Sequence, residues 1–150
     1  MSASAWWHAA ASCVAIGVAI GAGAQSGPSR SATIRDGVFT AEQALRGQAA
    51  YTGPCDRCHG YKLDGAAEDP VMLPAPPVAG AEFLRKWNGR SLATLFEYVR
   101  TTMPSNNPGY LSEGEVADIV AYMLFVSGMS AGAETLPADA GRLANVVIVR

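Results

Sequence analysis

The chain is short of the residues that most often carry metal and redox chemistry. Its 150 residues include only two histidines, His8 and His59, and three cysteines, Cys13, Cys55 and Cys58. It also lacks any block of like charge. The 13 acidic and 11 basic residues are scattered and leave a net charge of −2. That excludes a basic stripe for nucleic acid and the acidic tail of a disordered chain. No internal repeat is visible. With 49% hydrophobic residues, the chain can bury a core, and its length points to one domain, two at most.

Residues 9–24 carry no charged side chain and are rich in Ala, Val, Ile and Gly, ending in the small-x-small triplet Ala22-Gly23-Ala24. At about 1.5 Å per residue such a helix spans roughly 24 Å, short of a ~30 Å hydrocarbon core. The segment reads as an export signal over residues 1–24, cut before Gln25, which implies a periplasmic protein without a stable membrane span. No Lys or Arg precedes the apolar run, so an uncleaved anchor is the alternative. Cleavage removes Cys13 and His8 and leaves 126 residues, a comfortable single domain.

What then remains of the cysteine and histidine content lies in one pentapeptide, Cys55-Asp56-Arg57-Cys58-His59. Cys-x-x-Cys-His reads as a site of covalent c-type haem attachment. Two thiols can add to the two vinyl groups of the haem, and two intervening residues let both sulfurs reach one edge of the porphyrin. The next residue, His59, is then held under the ring with a nitrogen facing the iron. From this composition a chance match occurs about once in a thousand chains, so the motif is specific. A zinc site needs about four ligands and finds three adjacent ones here. A thioredoxin-like pair needs a βαβ setting that the pattern lacks. A plain disulfide gives no reason for the following histidine.

A second axial ligand must come from elsewhere. Met103 sits in Thr101-Thr102-Met103-Pro104, just after a helical stretch and just before the turn-rich loop Ser105-Asn106-Asn107-Pro108-Gly109, far enough from His59 to reach the opposite haem face. A thioether is a known haem ligand. Met72, in a Pro-rich loop, is its rival. Met123 falls mid-helix on an apolar stripe and reads as core; Met129 follows that helix.

Along the chain, residues 25–38 read as a flexible lead. A first helix starts at a Thr40/Gln43 capping box and runs to about Tyr51, with Gly47 and Tyr51 on one face. A mid-helix glycine, which costs about 1 kcal/mol against alanine, is reasonable where another helix crosses closely. Residues 60–80 form a loop, since Pro70, Pro74, Pro76 and Pro77 exclude a helix. A short helix follows over 81–87. Ser91 caps the next, with Leu92, Leu95, Phe96 and Val99 on one stripe. Ser112 and Glu115 cap the last, whose stripe is Val116, Ile119, Val120 and Met123. Residues 39–128 thus make the domain, and 129–150 an extended tail ending in an apolar strap that packs on its own domain or docks elsewhere. The expected fold is all-α, and no sheet is needed.

Over residues 38–128 the sequence resembles class I c-type cytochromes. Gly47-x-x-x-Tyr51 and Ile119-x-x-Tyr122 resemble the pairs on the family's first and last helices, which cross. Pro76-Pro77-Val78-Ala79-Gly80 resembles its Pro-x-Leu-x-Gly loop, with Val78 in place of the commoner Leu. The resemblance implies that the Pro76 carbonyl accepts a hydrogen bond from His59 and so orients it. Phe83-Leu84-x-x-Trp87, Thr101-Thr102-Met103-Pro104, Asn107-Pro108-Gly109-x-Leu111-Ser112 and Leu136-Pro137-Ala138-Asp139 are similar to cytochromes associated with quinoprotein (PQQ-dependent) dehydrogenases. That implies one covalent haem c, axial ligands His59 and Met103, and one-electron transfer. Its implied partners are redox proteins such as a PQQ-dependent dehydrogenase and a terminal oxidase. The chain would be an electron carrier rather than an enzyme, either free or as a cytochrome subunit of a dehydrogenase complex. A haem sensor or peroxidase with a displaceable methionine is the remoter alternative.

Overall fold

A computed structural model describes residues 31–66 and 75–150. The expected signal segment, the first part of the lead, Met72, Pro70 and Pro74 lie outside the described residues. The element order is β1 (Ala32–Thr33), α1 (Ala41–Tyr51), α2 (Asp56–His59), α3 (Gly80–Trp87), α4 (Leu92–Thr102), α5 (Glu113–Val126), α6 (Ala140–Leu143) and β2 (Val146–Val147). Among the described residues the fold is all-α apart from one two-residue strand pair.

Local chemistry places the helix starts. The Thr40 hydroxyl accepts from the Gln43 backbone N–H at 3.1 Å, and Ser91 accepts from Thr94 at 3.3 Å. At α5 both halves of the capping box form: Ser112 Oγ accepts from Glu115 N, and the Glu115 carboxylate accepts from Ser112 N at 2.9 Å. The expected box at α1 forms only by half. The Gln43 side chain is turned inward, donating to the Leu136 carbonyl at 3.0 Å and accepting from its N–H at 2.7 Å. It is a buried polar side chain, and this paired bonding is what makes its burial tolerable.

The main packing event is the crossing of α1 over α5. A Cβ on Gly47 would lie 1.8 Å from the Asp118 carbonyl oxygen and 2.9 Å from the Tyr122 Cβ. Only glycine allows the two backbones to approach so closely. One turn on, Tyr51 and Tyr122 meet edge-on with ring centroids 5.7 Å apart. Arg46 grips Asp118 with two hydrogen bonds of 2.9 and 3.0 Å at the rim of the same crossing. Helix α4 packs beside α5 and turns Leu92, Leu95, Phe96 and Val99 into the core.

Two expectations are corrected. Residues 31–38 are not a flexible lead: β1 pairs in parallel with β2, Ala32 opposite Val146 and Thr33 opposite Val147. Ile34, the one large apolar residue of that stretch before Val38, is fully buried. A small sheet is therefore part of the fold. The tail packs on its own domain. Leu136, Leu143 and Ile148 are buried in the same core as the helices, and Ile148 exchanges backbone hydrogen bonds with Gly89 and Arg90. The core thus extends beyond residues 39–128 at both ends.

Candidate functional site

The Cys-x-x-Cys-His pentapeptide folds as the single turn α2, entered from α1 through Thr52-Gly53-Pro54. The Asp56 carboxylate accepts from Gly53 N at 2.9 Å and fixes the entry. The His59 and Cys58 N–H groups both donate to the Cys55 carbonyl, and Gly60 at φ +73° ends the turn. Cys55 and Cys58 are not joined to each other. Before any attachment, burial, with help from Asp56 and then Cys58, pushes the Cys55 thiol up to about 12.

The imidazole of His59 has one nitrogen engaged: Nδ1 lies 2.9 Å from the carbonyl oxygen of Pro76. A carbonyl can only accept, so Nδ1 bears the proton and Nε2 carries the free lone pair. Residues 75–78 are held in place by Val78 N–H donating to the Leu63 carbonyl at 2.9 Å, and by Gly65, where a Cβ would lie 2.3 Å from the Ala75 carbonyl oxygen.

Cys55, Cys58, His59, Pro76 and Met103 all line one cavity of about 1060 Å³. That is just above the range of about 300–1,000 Å³ for small-molecule and cofactor sites, room enough for a large cofactor. Met103 reaches it from the C-terminal cap of α4. There its backbone turns extended (φ −118°, ψ 150°) while its N–H still donates to Val99. The inner wall is apolar, made by Phe83, Leu95, Val99, Ile119 and Met123. The charged lining residues are both cations, Arg57 and Lys86. The donor set is therefore two thiols and an oriented imidazole in one turn, with thioethers at the same cavity. Those residues fit a covalently attached haem: attachment groups, a nitrogen ligand, an apolar wall and cationic lining for a dianionic cofactor.

Sequence reasoning brought the attachment motif, Pro76 and Met103 to one place. It assigned Met123 to the core, and Met123 is buried there but also lines the cavity. It did not single out Tyr98, which lines the cavity and meets Trp87 edge-on at 5.7 Å. Tyr98 lies off the apolar stripe of α4 and belongs to no motif. It also gave no role to the Tyr51 hydroxyl.

A mostly helical fold around such a pocket is the architecture of a c-type cytochrome. Residues 42–123 match the family described as cytochrome c oxidase, cbb3-type, subunit III, and the chain belongs to that cytochrome c family. It carries haem c as its cofactor, and its fold is the all-α cytochrome c fold. Among solved structures the chain is similar to one of the sulfane dehydrogenase SoxCD from Paracoccus pantotrophus, at 20% identity and a TM-score of 0.45, over 87% of this chain and 68% of that one. No curated protein matches the chain.

Proposed function

We propose that the chain is an exported monohaem electron carrier of the periplasm, with His59 and Met103 as the axial ligands of its iron. The observation that supports this reading is the His59–Pro76 hydrogen bond, which engages Nδ1 and leaves Nε2 as the nitrogen available to a ligand at the cavity that His59 and Met103 both line. Haem c supplies a one-electron ferric/ferrous couple when bound. The protein's share is positional. Pro76 fixes the tautomer and raises the basicity of His59. The cap of α4 delivers a thioether, which favours a higher potential than a second imidazole would. Phe83, Leu95 and Ile119 exclude water from the site. With His59 and Met103 both holding the iron, no coordination position would be left for oxygen or peroxide, so the reading is electron transfer rather than catalysis. Donor and acceptor are other redox proteins, a quinoprotein dehydrogenase on one side and a terminal oxidase on the other.

Met103→Ala tests the ligand assignment. Expected are loss of the weak red sulfur-to-iron band of the ferric protein and new carbon monoxide binding by the ferrous form. Survival of the band would mean that Met72 or Met123 holds the iron. The partner is tested by mixing the oxidised cytochrome with quinoprotein dehydrogenases and their alcohol or sugar substrates. Reduction only by a respiratory quinol oxidoreductase would make the chain a general respiratory shuttle.

A second reading, a cytochrome subunit held in a larger dehydrogenase complex, is supported by one surface feature. Leu45, Phe125 and Val126 stand exposed at the outer side of α1 and α5. Size-exclusion of the native protein separates the two readings: a stable complex favours the subunit, a monomer the free carrier.

A further inference from the structure

We propose that Tyr51 is a positioning residue for His59, its hydroxyl anchoring the turn that brings the Pro76 carbonyl to the imidazole. The inference rests on His59 being the iron ligand. The helix crossing itself needs only an aromatic ring at residue 51, because the contact with Tyr122 is ring edge against ring face. A phenylalanine would serve it. The hydroxyl is an addition, carried on a side chain only 2% exposed, and a buried hydroxyl costs stability unless it is bonded. It donates to the Gly60 carbonyl at 2.8 Å. Burial holds the phenol far above its ordinary pKa, so it remains a donor.

Gly60 directly follows His59, and its carbonyl is the hub of the turn. It accepts from Tyr51 and also from Leu63 N–H at 3.0 Å. Leu63 is buried in a left-handed conformation (φ +61°), and its own carbonyl accepts from Val78 N–H at 2.9 Å. Two residues before Val78 is Pro76, whose carbonyl meets His59 Nδ1 at 2.9 Å. The His59 carbonyl is held in turn by Gly65 N–H at 2.9 Å. The hydrogen bonds therefore close a ring from His59 through Gly60, Leu63, Val78 and Pro76 back to the imidazole. Tyr51 is the point where that ring is tied to a long helix. The tie does not pass through residues 67–74, since the Val78–Leu63 bond bypasses them.

A His ligand whose Nδ1–H is bonded to a carbonyl is more electron-rich and favours ferric iron. If the turn slackens, that bond weakens and the ferrous state gains. Tyr51→Phe keeps the ring and removes the donor, leaving Gly60 with Leu63 alone. The expected result in the haem-loaded protein is a 3- to 10-fold rise in the ferrous/ferric ratio at fixed ambient potential, a shift of up to about 59 mV for one electron. Exchange of the His59 Nδ1 proton with solvent, followed by NMR in the ferrous protein, should speed up by about tenfold or more. Tyr122→Phe is the control, because it removes a hydroxyl from the same crossing without touching the turn. It should move neither quantity. If Tyr51→Phe lowers the melting temperature but leaves potential and Nδ1 exchange at parental values, the hydroxyl only stabilises the fold and the inference is wrong. It is equally wrong if Tyr122→Phe shifts both as much. The underlying assignment is decided separately: an unchanged spectrum and potential in His59→Ala would overturn His59 as ligand, whatever Tyr51→Phe does.

Discussion

Gly47→Ala is the substitution whose sign depends most on the structure. Judged from the helix alone it should stabilise, since Ala is about 1 kcal/mol better than Gly in a helix interior. The crossing reverses this. The new Cβ would sit 1.8 Å from the Asp118 carbonyl oxygen and 2.5 Å from its carbon. Ordinary contact begins near 3.4 Å, so α1 and α5 must separate by roughly 1.5 Å. The obstacle is helical backbone, not the end of a side chain that could swing aside. Overpacking of a core typically costs about 1–3 kcal/mol and sometimes more. A gap of about 1 Å forfeits up to half the dispersion of each contact along the seam. A backbone obstacle puts the cost at or just above the top of that range, about 3–4 kcal/mol, and the propensity gain of about 1 kcal/mol leaves a net loss of about 2–3 kcal/mol. In a domain of about 100 residues each kcal/mol is worth about 4–8 °C, so the melting temperature should fall by about 10–20 °C. Thermal unfolding of the haem-loaded protein, followed by circular dichroism, measures it. A variant that melts within 2 °C of the parent, or above it, would refute the close crossing.

Gln43→Ala should cost about 2–5 kcal/mol in denaturant unfolding, because it leaves both the N–H and the carbonyl of Leu136 buried without partners. The Leu136 amide should exchange faster in the variant, and unchanged exchange would mean the tail is held by other contacts. Ser112→Ala should cost about 1 kcal/mol at neutral pH through the lost cap of α5. Hydrogen bonds from the Ser112 side chain and backbone hold the Glu115 carboxyl below its ordinary value. A depressed folded-state pKa stabilises above the unfolded value, and that contribution disappears as pH falls through the folded one. The gap between variant and parent should therefore narrow in acid, and a gap independent of pH would show that the carboxylate takes no part in the cap.

What the sequence made legible was local. The caps at Thr40, Ser91 and Ser112 are side-chain bonds to an N–H three residues on, and the helices begin where those residues stand. The attachment motif is a single turn, so its spacing alone defines the site. Pro76 and Met103 were reached through a resemblance and through position at a helix end, and both line the cavity. What stayed hidden depends on partners far along the chain. The strand pair joins residues 32–33 to 146–147, and two residues are too few to show a period. Gln43 has the right spacing for a capping box, but its amide goes to Leu136, 93 positions away. No local rule decides between those two bonds. Ile34 is one isoleucine in a polar stretch, and it is buried in a segment whose backbone pairs with the distant tail at Val147.

Gly47 and Tyr51 share a face of α1, one turn apart, and this joins stability to the site. Glycine sets how closely α5 approaches; tyrosine, edge-on to Tyr122 at that crossing, extends its hydroxyl to the carbonyl behind His59. The depth of the crossing thus determines where the hydroxyl lies relative to Gly60. Relieving the clash at Gly47 demands a displacement of roughly 1.5 Å, which is larger than the tolerance of the 2.8 Å bond from Tyr51 to Gly60. Tyr51→Phe changes the tie and spares the crossing, whereas Gly47→Ala changes both. The His59 Nδ1 proton should therefore exchange faster in either variant, with the larger fall in melting temperature confined to Gly47→Ala. A Gly47→Ala protein that melts early yet keeps parental exchange at His59 would mean that the turn holds its shape without the helix, because the bonds from Leu63 to Val78 and from Gly65 to His59 suffice.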